Sequence, residues 1–78
     1  MRKVIKIYKD GCPPCNKLSQ QLDRLGIPYE SVEATAEIAE KYQIRSVPVL
    51  IFTENGEEVD RSLGLVGDGM IERKYKGE

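Results

Sequence analysis

The feature that most constrains the fold is Cys12-Pro13-Pro14-Cys15, set where a strand-forming stretch gives way to a helix-forming one. On its N-terminal side, Lys3 to Tyr8 contains Val4, Ile5, Ile7 and Tyr8, the β-branched and aromatic residues of a strand. Asp10-Gly11 then breaks the strand. On the C-terminal side Cys15, Leu18, Leu22 and Leu25 recur at steps of three, four and three, which draws one apolar stripe along a helix. Gly26 supplies the helix stop, with Pro28 just beyond. Cys12 therefore falls near the N-cap and Pro13 at the first helical position, where a missing N–H costs little.

Three readings of the cysteine pair compete. As a structural disulfide, a loop of about four residues gains only roughly 2 kcal/mol from chain entropy, and a reducing cytosol tends to keep such a pair open. A structural zinc site needs four ligands, usually Cys or His. The chain has 2 Cys and 0 His, so a closed site needs carboxylates or a second protomer. The third reading, a redox dithiol, is the one we favour, because a Cys-x-x-Cys in a cytosolic βαβ setting reads that way. The first turn of a helix has unpaired N–H groups and a partial positive charge. A thiolate there is stabilised, so its pKa falls and more of the attacking species exists near neutral pH. Cys15, on the apolar stripe, is predicted to be the more buried sulfur. Cys12 then attacks a target disulfide, and Cys15 resolves the mixed disulfide.

The rest of the chain supplies the setting. Tyr29 to Val32 reads as a short strand. Thr35 is placed to cap a second helix with Glu37 in its first turn and Ile38, Ala39 and Tyr42 toward the core. Val47 to Thr53 is a strongly apolar strand, Asn55-Gly56 a hairpin turn, and Val59 to Leu63 the returning strand. Asp68 is predicted to cap a last helix carrying Met70, Ile71 and Tyr75. The order β-α-β-α-β-β-α predicts an α/β fold, a four-stranded mixed sheet flanked by about three helices. With 78 residues the chain suffices for one domain, 1–78, with one modest core.

Composition narrows the class. Apolar residues at 40% and charged residues at 32% fit a soluble globular protein rather than a disordered one. The 12 basic and 13 acidic residues are interspersed, with no basic block, so no nucleic-acid partner is expected. Lys6 and Lys9 interrupt the apolar stretch after Met1-Arg2-Lys3, leaving no signal-peptide core, and no run approaches a membrane span. A cytoplasmic monomer with no cofactor, no resident metal and no membrane partner is the expectation.

These separated signals resemble the thioredoxin and glutaredoxin superfamily. Cys12-Pro13-Pro14-Cys15 looks like its active-site motif, and Ser46-Val47-Pro48 like the segment holding its cis-proline. Lys41 through Pro48 is similar to the thioredoxin stretch leading into that proline, and Phe52 through Gly56, followed by Gly64, resembles the thioredoxin hairpin and its later glycine. The short length and the direct start into the active-site strand are glutaredoxin-like, whereas the second half is thioredoxin-like. The resemblance implies a thioredoxin-like fold and a protein disulfide oxidoreductase, with a redox-active Cys12–Cys15 disulfide, a nucleophilic Cys12, a resolving Cys15 and a cis Val47–Pro48 bond. A cis bond would turn the Val47 backbone toward the cysteines, where its N–H and C=O pair with an extended substrate segment. Gly64 would leave room for that segment, although an ordinary loop glycine is the competing reading.

Three departures matter. Gly11 stands where thioredoxins carry a Trp, so the substrate-docking surface falls to Gly11 itself with Pro13, Val47, Leu65 and Val66. Lys6 stands six residues before Cys12, where thioredoxins bury an Asp that moves protons; we read it as a snorkelling or salt-bridged lysine rather than a catalytic one. Lys9 and Lys17 are further candidates for charge near the sulfurs. Glutaredoxins bind glutathione with a Gly-Gly and an acidic residue. Here Gly64-Leu65-Val66-Gly67-Asp68 lacks the double glycine, and Asp68 is a weak match. The implied partners are disulfide-containing proteins, ribonucleotide reductase among them, with a flavin-dependent thioredoxin reductase or glutathione as reductant. A glutathione-linked glutaredoxin, and a non-catalytic module holding a metal across a dimer through Cys12 and Cys15, stand as alternatives.

Overall fold

A computed structural model describes residues 1–78. Strand β1, Lys3–Tyr8, runs through the middle of a four-stranded sheet of order β2-β1-β3-β4. It lies parallel to β2, Glu30–Glu33, and antiparallel to β3, Val49–Glu54, which pairs antiparallel with β4, Glu57–Leu63. Helix α1, Pro13–Leu25, makes the crossover from β1 to β2; α2, Ala36–Tyr42, links β2 to β3; and α3, Asp68–Lys76, closes the chain. The order is the expected β-α-β-α-β-β-α.

Alternation along the two central strands divides the core. Val4, Leu50 and Phe52 pack with Leu18 and Leu22 of α1, Ile27 and Ile71 of α3. Ile7, Val49 and Ile51 form a second cluster with Ala34, edged by the half-buried Ile38, Tyr42 and Val47. Leu25 at the end of the α1 stripe is half-buried rather than core, and Met70 is exposed. Burying the seven residues of the larger cluster stabilises the fold at roughly 1.5–3 kcal/mol per large side chain.

Element ends differ from expectation for local reasons. The strand expected from Val47 begins at Val49, because Pro48 has no N–H for the ladder. The returning strand starts at Glu57 rather than Val59, since Asn55 (φ 53) and Gly56 (φ 82) turn the chain so tightly that Glu57 already pairs with Glu54. The register then shifts, with Thr53 opposite Glu58 and Phe52 opposite Asp60, so Val59 is the extra residue of a bulge. Asp68 does not cap α3: Gly67 holds the N-cap position without a side-chain bond, and Asp68 is the first helical residue.

Candidate active site

Cys12 is the N-cap of α1, extended at φ −112, ψ 96, with Pro13 and Pro14 filling the first two helical positions. Neither proline has an N–H, so Cys15 is the first residue able to offer one. Its N–H donates to Cys12 Sγ at 3.2 Å, and the Asn16 N–H donates to the Cys12 carbonyl at 3.2 Å. The helix start thus points a backbone donor and its partial positive charge at the Cys12 sulfur. No acidic residue occupies the first turn to oppose that field.

The two sulfurs differ in depth. Cys15 is 1% exposed, on the stripe it shares with Leu18 and Leu22, whereas Cys12 is half-buried and flanked by the exposed Gly11 and Pro13. They are joined as a disulfide, with Cα atoms 5.2 Å apart. Gly11 adopts φ +70, a left-handed backbone that a large L-residue such as Trp would strain, which accounts for glycine there.

The Val47–Pro48 bond is cis, with Pro48 buried and Val47 half-buried. The Gly64 N–H donates to the Pro48 carbonyl at 2.9 Å, which ties the end of β4 to the proline segment. Gly64 sits at φ +69 with open space where a Cβ would lie, so its backbone alone calls for glycine. Two open grooves reach Val47 and Leu65, and neither is lined by the cysteines. One, of about 460 Å³, is lined by Val47, Lys9, Arg45 and Thr35; the other, of about 470 Å³, by Leu65, Val66, Lys17 and Arg24. The structure therefore places Lys9 with Val47 and Lys17 with Leu65. Leu65 is 49% exposed, while Val66 packs partly on the core.

Asp68 and Lys6 each have defined side-chain partners. Asp68 is held by neighbours: Arg24 donates to its two oxygens at 3.0 Å each and Gln21 Nε2 to one of them at 2.7 Å. These bonds, Arg24 first, keep its carboxyl below the ordinary aspartate range. Lys6 neither snorkels nor pairs with a carboxylate. It is 6% exposed, its Nζ donates to Ser19 Oγ, and the ammonium lies 5.4 Å from the Tyr8 ring centroid and 5.3 Å from that of Tyr29. Burial lowers its pKa, with Asp23 acting in the opposite direction. Ser19 escaped notice in the sequence, although its place one turn beyond Cys15 was a usable signal.

Comparison with known proteins bears on the same region. The family profile described as Glutaredoxin matches residues 4–59, which include both cysteines and the cis-proline. The SPbeta prophage-derived thioredoxin-like protein YosR of Bacillus subtilis is 35% identical over 65 residues, covering 80% of this chain and 81% of its own length. Thioredoxin of Chlamydia muridarum is 32% identical over 69 residues, covering 80% of this chain and 68% of its own. Among solved structures, Fasciola hepatica thioredoxin superposes with a TM-score of 0.81 at 22% identity, covering 97% of this chain and 79% of that one; at that identity the match speaks for the fold alone. With a dithiol-forming pair at a helix start inside a matching family region, the chain belongs to the glutaredoxin family of the thioredoxin superfamily and is a thiol–disulfide oxidoreductase.

Proposed function

We propose that the protein reduces disulfides in other proteins and carries electrons to them, acting as a single domain and a monomer. The observation that carries this reading is the asymmetry of the two sulfurs: Cys12 caps α1 and is reachable, whereas Cys15 is 1% exposed. The Cys12 thiolate attacks one sulfur of the target disulfide, and the other target sulfur leaves as a thiolate and takes a proton. The Cys15 thiolate then attacks Cys12, the second target sulfur leaves, and the Cys12–Cys15 disulfide forms. Two electrons pass to the target. Gly11, Pro13, Val47, Pro48, Gly64 and Leu65 form the surround of an extended substrate segment, with the Val47 backbone as its pairing edge.

A disulfide-bonded protein such as insulin tests the assignment. Cys12→Ser is expected to be inert and Cys15→Ser to accumulate a covalent mixed disulfide, seen by mass spectrometry. Equal trapping by both variants overturns the roles. NADPH with a flavin-dependent thioredoxin reductase is expected to regenerate the dithiol better than glutathione does, because Asp68 is committed to Arg24 and Gln21. A ribonucleotide reductase is one target class for such a carrier. Stoichiometric metal in a purified dimer would instead favour the metal-holding alternative.

A further inference from the structure

Lys6 is a buried cation that the disulfide exchange described above does not use. Charge rarely goes below a helix without a paired carboxylate, and none lies within ion-pair distance of Lys6. Its Nζ donates to Ser19 Oγ, and Ser19 follows Cys15 by four residues on the inner side of α1. Side chains four apart on a helix stand about 5–6 Å apart at Cβ. The ammonium is thereby tied to the residue one helical turn beyond Cys15 on α1. The groups facing it are Ser19 and Asp23 from α1, Tyr8 from β1 and Tyr29 ahead of β2. Only Asp23 carries a negative charge among them, and it lies one turn further from Cys15, on the exposed part of α1.

We propose that Lys6 is a positioning residue for the second half of the exchange: its ammonium favours the Cys15 thiolate, and so sets the pH range in which the mixed disulfide is resolved. A buried thiol loses its proton reluctantly, because desolvation penalises the charged form. A buried cation held by the residue one turn beyond Cys15 offsets part of that penalty. The Cys15 proton goes to solvent, its thiolate forms the bond to Cys12 Sγ, and the bond from Cys12 to the target breaks. Lys6 forms no bond in the sequence of steps. The inference rests on the proposed division of roles between Cys12 and Cys15.

Ellman's reagent, an aromatic disulfide that releases a coloured thiolate at each half of the exchange, separates the two steps. Reduced protein mixed with it in a stopped-flow instrument releases one equivalent as Cys12 attacks and a second as Cys15 resolves. Lys6→Met keeps side-chain length and removes a buried charge, so the fold is expected to persist, as checked by its melting curve. In that variant the first phase should be unchanged, and the second about tenfold slower near pH 7, with its pH midpoint moved up by about one unit. Lys6→Arg should recover most of the rate. Asp23→Asn, at an exposed position, should move the second-phase midpoint slightly the other way. Coincident second-phase pH profiles for the wild type, Lys6→Met and Asp23→Asn overturn the proposal, as does equal slowing of both phases. If Cys15→Ser fails to stop after one equivalent, the division of roles fails instead, which is a distinct outcome.

Discussion

The two faces of the sheet draw on the same two strands but are covered very differently. On one face, α1 and α3 press fully buried residues, Leu18, Leu22 and Ile71, onto Val4, Leu50 and Phe52. On the other, α2 contributes no fully buried residue, and Ile7, Val49 and Ile51 are covered by the half-buried Ile38, Tyr42, Ile44 and Val47. The dithiol starts the helix that is set into the denser face. The cis-proline segment follows the helix that lies over the looser one. Reacting groups need their geometry held closely, whereas an element with few fully buried contacts opens locally at lower cost. The difference puts the more complete packing under the helix that carries the sulfurs and the less complete packing under the helix that leads to the cis-proline.

Mutations on the two faces sharpen that contrast. Phe52→Ala on the denser face should lose about 3–5 kcal/mol, a large part of the roughly 5–15 kcal/mol available to a small domain, read from the urea midpoint. Ile38→Ala on the looser face should lose only about 1–2 kcal/mol, since its side chain is half-exposed already. Amide exchange across α2 should then accelerate while α1 stays protected. Equal losses at the two positions would erase the distinction. The smallest effect is expected at Asp60, which ties β4 to α3 through Lys74 Nζ at 2.8 Å. The Lys74 hydrogen bond holds the Asp60 carboxyl below its usual range. Its contribution is present above the unfolded aspartate pKa, near 3.9, and is lost as pH falls through the lower folded value. Asp60→Asn should therefore reduce stability at neutral pH by less than about 1 kcal/mol, and flatten the acid side of the stability curve below about pH 4.

What could be read from the sequence was local and periodic. The α1 stripe as far as Leu22, the prolines after Cys12, Gly26 as the helix stop and Asn55-Gly56 as the turn each fix backbone over a few residues, and each is found where it was expected. What escaped was assembled from distant segments. Lys6 is enclosed by Tyr8, Ser19 and Tyr29, three separate stretches whose meeting depends on the crossover of α1. Asp68 looked like a helix cap because its sequence neighbours suggest one, yet Arg24 and Gln21 reach it from α1. Gly11 read as the loss of a Trp, whereas its left-handed backbone gives a positive reason for glycine. Val59 carried a strand signal but sits in a bulge, because the Asn55-Gly56 turn sets the register.

The most direct test is competitive alkylation of the reduced protein by iodoacetamide at neutral pH, with the labelled sulfur located by mass spectrometry. Modification of Cys12 well before Cys15 is the predicted result, since only Cys12 combines access with the field of the α1 start. Equal labelling, or labelling of Cys15 first, would contradict the account.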